Sequence, residues 1–235
     1  MEGRLKEAED YFGNILHHMS AEGPVSSIKI LVEGDIITFD TNGIITGAIE
    51  RIPNIFYLRD TPLTLVNPEI AYFIHNAIKN DLTDLNKCHS LLNSIHECMS
   101  FDNNATNVNT TAAEAFFTKK GVCQDFVHIF IACARVLNIP TCYVSGYYLR
   151  NDTDRQTAAH AWAEAYISDL GWISFDPAHG LSPNERYVRL ATALDYNGAA
   201  PTRGAIIGGD GEDMKISIRI FSPQEHKDIS QFLTQ

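Results

Sequence analysis

One stretch constrains this chain more than any other: GVCQDFVHIFIACARVLNIP, residues 121–140. Val122, Phe126, Phe130, Cys133 or Ala134, and Leu137 recur at helical spacing and mark an inward stripe. Pro140 disfavours helix in the residue before it, so the helix is expected to end at Asn138-Ile139. Three strand candidates come after it: TCYVSGYYL (141–149), HAWAEAYI (160–167) and GWISFDPA (171–178).

The front of that helix carries a thiol. A helix N-terminus presents unpaired N–H groups and partial positive charge, which favour a thiolate and can hold an oxyanion. Of the five cysteines, Cys88, Cys98, Cys123, Cys133 and Cys142, Cys123 has this setting. Cys133 falls mid-helix and Cys142 mid-strand. A nucleophilic thiol needs a base, and the base needs an orienting group. Period-2 alternation puts His160, Trp162, Glu164 and Tyr166 on one strand face, and Trp172, Ser174 and Asp176 on one face of the next. The turn between these strands lies within 168–171. With an odd-residue loop, paired positions add to an even number and His160 and Asp176 share a face. A sum of 336 makes them directly opposite, and 338 makes them diagonal neighbours within hydrogen-bonding reach. An even-residue loop would separate them. The spacing thus assembles Cys123 as nucleophile, His160 as base and acid, and Asp176 as orienter. The bland alternative is a buried thiol, a surface imidazole and a turn aspartate.

Upstream, residues 1–20 are polar and carry no clear pattern. SSIKILVEGD alternates like a strand, and DIITFDTNGIITGAIE reads as a hairpin turning at Asn42-Gly43. Asn67, Pro68 and Glu69 open a helix, and a second helix is expected from about Leu82 to Met99. The chain is expected to divide into a β-rich segment, 1–64, and a catalytic core, 65–235.

The 235 residues carry a net charge of −11. That balance argues against nucleic acid and anionic membrane surfaces as partners. The N-terminus lacks the apolar core of a secretion signal and no run approaches a membrane span, so a cytoplasmic location is expected. No C-x-x-C pair or acidic loop of ligand spacing occurs, so no metal or cofactor is expected.

These blocks resemble the bacterial transglutaminase-like superfamily, many of whose members are described as cysteine proteases. TTAAEAFFTKKGVCQDFVHIFIACARVLNIPTCYVSGY is similar to its nucleophile segment, and HAWAEAYISDLGWISFDPAHG to its histidine and aspartate segment. LDYNGAAPTRGAIIGG resembles the next block, with Leu194 replacing the usual arginine and Gly198-Ala199 replacing an acidic residue and valine. Resemblance extends over roughly residues 9 to 220. It implies an α+β fold, a papain-like core with a nucleophile helix packed on an antiparallel sheet, preceded by part of a β-rich N-terminal domain. It also implies the roles above for Cys123, His160 and Asp176, and a peptide or protein substrate attacked at an amide.

Other residues have competing readings. The backbone N–H of Cys123 or Gln124 can donate to an oxyanion. Asp125 fits the helix dipole. His128 fits a core position. Trp162 and Trp172 fit either a cleft wall or the core. Glu164 is expected to face solvent. Hydrolysis, transfer to an amine, and non-catalytic peptide binding are all compatible with these residues.

Overall fold

The computed structural model describes residues 3–48, 50–79, 82–156, 158–205 and 213–221. In chain order its elements are strands β1 (Gly3–Glu9) and β2 (Ile15–Ala21), helices α1 (Pro68–Ala77) and α2 (Asp84–Cys98), and β3 (Ser100–Phe101). Then come α3 (Ala112–Thr118), β4 (Lys120–Gly121), α4 (Cys123–Val136), β5 (Thr141–Tyr148), β6 (Arg155–Gln156), β7 (His160–Ile167) and β8 (Gly171–Phe175). The last are β9 (Tyr187–Ala193), α5 (Tyr196–Ala199) and β10 (Ile218–Arg219).

Helix α4 is central. Every residue from Gln124 to Arg135 is buried, so the expected stripe is in fact a whole circumference. A helix apolar all round needs cover on every side. One side is an antiparallel sheet of order β8-β7-β5-β9, and the other is α1, α2 and α3. Ala161, Ala163 and Ala165 of β7 are small enough to let α4 approach the sheet, and they join Phe126, Phe130, Leu91 and Ile95 in one core. The helix ends earlier than Pro140 alone predicts. Asn138 takes a left-handed φ of 60°, Asn138 N–H bonds to Arg135 O and Ile139 N–H to Ala134 O, which closes the end as a Schellman motif.

Local chemistry explains the other helices. The Asn67 side chain accepts from Ile70 N–H at 2.9 Å, with Pro68 in the first turn of α1. Thr83 caps α2, and Thr111 with Glu114 forms a capping box on α3.

The N-terminal part departs from expectation. Its first residues form an antiparallel hairpin, pairing Gly3 with Ala21 through Glu9 with Ile15. Residues 22–40, despite their alternating apolar pattern, form no strand. Asn42 and Gly43 do make the turn, both at positive φ (54° and 79°). The residues after this turn pair elsewhere: Ile44 bridges Ile173, Ser174 N–H bonds to Gly43 O at 2.8 Å and Ile45 N–H to Trp172 O at 2.9 Å. The unpaired edge of β8 captures this segment, as open edges do. On that side of the sheet, Ile45 and Tyr57 pack over Cys142, Val144, Trp162 and Trp172.

Arg135, in the last turn of α4, ties these layers together. Its guanidinium donates to Tyr57 O (2.9 Å), Thr64 Oγ1 (2.9 Å), Thr141 O (3.0 Å) and Leu194 O (2.7 Å). A lysine has no planar fork and cannot reach four acceptors in these directions. Arg135→Lys is expected to lower unfolding free energy by about 2–4 kcal/mol, seen as a lower denaturant midpoint with an unchanged slope.

Candidate active site

Cys123 is the first residue of α4, half-buried at its N-terminus. Its presentation depends on the residues around it. Asp125 folds back so that its Oδ2 accepts from Val122 N–H (2.7 Å) and Thr106 Oγ1 (2.6 Å). Asp125 is therefore a side-chain cap; Val122 has no polar atom to complete a reciprocal box. Burial raises its pKa, and the hydrogen bonds from Thr106 and Val122 oppose that rise. A Cβ on Gly121 would lie 2.7 Å from the Asp125 Cγ, so the glycine leaves room for the cap. Gln124 Nε2 donates to Val108 O at 3.1 Å and braces the 102–110 loop. Its side chain is thus engaged with that loop, while the N–H groups of Cys123 and Gln124 belong to the first turn, which has no helical acceptors.

His160 opens β7 and Asp176 comes directly after β8. The register pairs Ala163 with Phe175, a sum of 338, across a three-residue connection in which Asp169 is left-handed (φ 70°). This is the diagonal arrangement anticipated from the sequence, and His160 Nε2 lies 2.6 Å from Asp176 Oδ2. Cys123 lies close enough to the imidazole for its sulfur to raise the His160 pKa, alongside Asp176. The three side chains singled out by spacing therefore come together.

Their electrostatics are strongly biased. Asp176 has no exposure to water, while the His160 side chain retains 11%. Burial pulls the His160 pKa down, but the hydrogen bonds with Asp176 and Cys123 and the charges on both prevail and raise it to about 10. Burial likewise favours protonated Asp176. The bonds and charges of His160 and His179 reverse this and hold the carboxyl well below its usual range.

Two residues of this site are not evident from the sequence. His179 Nδ1 lies 2.8 Å from Asp176 Oδ2, and the Tyr187 hydroxyl donates to the same oxygen at 2.8 Å. The FDPAH spacing holds the one clue, since a histidine three residues past the aspartate shares its turn. Tyr187 comes from β9 and leaves no local signal. His160, Asp176 and His179 have the donor types of a divalent-cation site, with ligand atoms within 4.8 Å of one another. Both ring nitrogens, however, address one oxygen at less than the roughly 3.3 Å between ligands of tetrahedral zinc. This is the geometry of proton bridges.

The remaining candidates serve the core or the sheet. His128 is fully buried, accepts from Tyr196 N–H at 3.2 Å, and is driven by burial, with a smaller contribution from Arg135, to a pKa of about 3. It is a neutral core residue. Trp162 is 2% exposed and packs edge-on to Tyr187; its ring lies so close to Gly146 that a Cβ there would be 2.5 Å from Cζ3. Its Nε1 has no partner among the described residues. Glu164 does not face solvent. It is buried and clasped bidentately by Arg189 of β9 (2.8 and 3.0 Å), on the side covered by the N-terminal segment. Of the LDYNGAAPTRGAIIGG block, Asp195 caps α5 through Gly198 N–H, while Ile206–Gly209 lie outside the described residues. Among the described residues no helix is long and apolar enough to cross a membrane.

Comparison with known proteins places this site in context. An uncharacterized protein of Mycobacterium leprae is 32% identical over 120 residues, covering 49% of this chain and 42% of its own length. One from Mycobacterium tuberculosis is 30% identical over 140 residues, covering 55% and 44%. The chain thus spans less than half the length of these relatives. A proposed cysteine protease from Cytophaga hutchinsonii, known from its crystal structure, shares the fold with a TM-score of 0.64 at 20% identity, over 93% of this chain and 76% of its own. Residues 72–177, which include Cys123, His160 and Asp176, match the family model of the transglutaminase-like superfamily. Over residues 72–177 the chain is therefore similar to the core domain of the transglutaminase-like superfamily.

Proposed function

We propose that this chain carries out cysteine-dependent acyl chemistry on an amide bond of a peptide or protein, and that the outcome is hydrolysis. The observation that carries this reading is the 2.6 Å contact between His160 and a solvent-free Asp176, with Cys123 near enough to act on the same imidazole.

That arrangement dictates the steps. The Cys123 thiolate attacks the carbonyl carbon, forming a C–S bond and moving the carbonyl electron pair onto oxygen. The N–H groups of Cys123 and Gln124 at the helix end are available to that oxyanion. His160 gives its thiol-facing proton to the leaving amine as the C–N bond breaks, leaving a thioester. Water then attacks the thioester, His160 takes its proton, and the thiolate departs. Asp176 keeps the imidazole oriented and stabilises its charged form throughout. An amine in place of water would make the same site a transglutaminase.

The other four thiols are poor competitors. Burial raises the pKa of Cys88 to about 12 and pushes Cys98, Cys133 and Cys142 up as well. Iodoacetamide at neutral pH is therefore expected to label Cys123 roughly tenfold or more faster than the rest, and Cys123→Ala to remove that label. Equal labelling of all five thiols would favour a non-catalytic binding module. A glutamine-containing peptide, incubated with and without a primary amine, separates the outcomes: ammonia alone means hydrolysis, and amine incorporation means transfer.

The pH dependence has a definite sign. The folded pKa of His160 lies above its ordinary value of 6.5, so the stability its imidazolium contributes is fully present below 6.5 and is lost progressively as pH rises from there through about 10. Asp176→Asn removes the paired charge. It is expected to move the basic limb of kcat to lower pH and to reduce kcat by roughly 10³–10⁴-fold, measured in a pH–rate series.

A further inference from the structure

The Asp176 carboxylate is more heavily bonded than one histidine requires. Oδ1 accepts from Ala178 N–H (3.0 Å) and His179 N–H (3.1 Å). Oδ2 lies 2.6 Å from His160 Nε2, 2.8 Å from His179 Nδ1 and 2.8 Å from the Tyr187 hydroxyl. Burial, reinforced by the Asp176 charge, pushes the Tyr187 pKa far up, so its hydroxyl remains a donor. His179 Nδ1 also lies 3.0 Å from that hydroxyl oxygen. A bare nitrogen lone pair facing two oxygens at these distances would be repelled, so Nδ1 carries a proton. The His179 ring stacks on His160 with centroids 4.7 Å apart and planes 29° apart, and lies 4.8 Å from the Tyr148 ring.

We propose that His179 is a positioning residue for the base. By donating from Nδ1 to the oxygen that His160 also addresses, it fixes the carboxylate's direction and draws off part of its charge, which limits how tightly His160 holds a proton. This inference rests on the role given to His160 above. Hydrogen bonds to a carboxylate stabilise its ionised form and weaken it as an acceptor for any one partner. An imidazole that never released its proton could serve as acid but not as base, and the two halves of the reaction need both.

The groups facing His160 come from four elements. Cys123 is on α4, Tyr148 on β5, Tyr187 on β9, and Asp176 and His179 are in the turn after β8. The Arg186 guanidinium stands over the Tyr148 ring at 5.1 Å. Among these only His179 and Tyr187 share Oδ2 with His160. His179 is the more open of the two: its side chain is 38% exposed, so the turn can accept substitution there.

The test reads His160 directly. NMR titration of its imidazole in a Cys123→Ala background removes any thiolate and needs no catalytic activity. Failed labelling of Cys123 would then overturn the acyl chemistry without bearing on this result. His179→Phe keeps a stacked ring and deletes the donor; His179→Asn places an amide N–H where Nδ1 lies. The Phe variant is expected to raise the His160 midpoint by about one pH unit, roughly tenfold in proton affinity, and the Asn variant to restore it. If the Phe variant does not fold, His179→Ala read with and without added imidazole gives the same comparison. A midpoint unmoved by losing the donor, or moved equally by Phe and Asn, overturns the proposal.

Discussion

An ionised carboxylate cut off from water costs several kcal/mol unless its lone pairs are met by well-placed donors. Asp176 is such a group, and meeting its needs fixes much of the molecule. Its donors come from the start of β7, from the turn after β8 and from the first residue of β9. Its own N–H and C=O pair with Leu181 and Gly180, closing that turn into a rigid loop. Three strands are thereby held in one arrangement at the sheet end where α4 begins. The same constraint gives the imidazole its orientation.

The thiol side of the site is governed by a different requirement. Helix α4 is buried along its length, so its position is set by packing against the sheet and three helices. Its two end residues, Cys123 and Val136, are the ones that reach the surface, Cys123 at the site. There Asp125 satisfies one free N–H and binds Thr106, while Gln124 holds Val108 O, so the 102–110 loop is bonded to the turn that carries Cys123. Core packing thus places the sulfur, and two polar side chains shape the wall beside it. The departures of Leu194 and Gly198-Ala199 from the family pattern lie in α5 and the residues around it, which contact α4 through the Tyr196–His128 bond. They leave the bonds around Asp176 intact.

Much of this is legible in the residues alone, for physical reasons. Helix and strand periods in 121–178 are strong because those segments are buried against one core, and burial is what periodicity reports. The N-terminal part lacks such a core. Ile28, Ile30 and Val32 alternate as a strand would, yet they are exposed and form no strand, whereas the polar residues of β1 and β2 pair without an apolar face to announce them. Glu164 defies its expected exposure because strand parity gives a face but not what covers it. The cover comes from residues more than 100 positions upstream, and the partner, Arg189, from a strand 25 residues downstream. Tyr187 and Arg135 are silent in the sequence for the same reason: their partners are distant along the chain.

The chemistry of the base depends on the register of one hairpin. Burial alone would hold His160 neutral, as it does His128, whose ring is buried without a carboxylate. What distinguishes the two is the diagonal neighbour across the β7–β8 pairing. A slip of one residue would turn Asp176 to the opposite face and leave His160 with burial and no counter-charge. That register is set by a three-residue connection with left-handed backbone at its middle residue, Asp169, and at Gly171, which opens β8, at φ 70° and 83°. Gly171 accepts this without strain and Asp169 with little, whereas a β-branched residue at either position would not. The proton affinity of the imidazole is therefore traceable, through one strand pairing, to the conformational freedom of two residues at the far end of the hairpin.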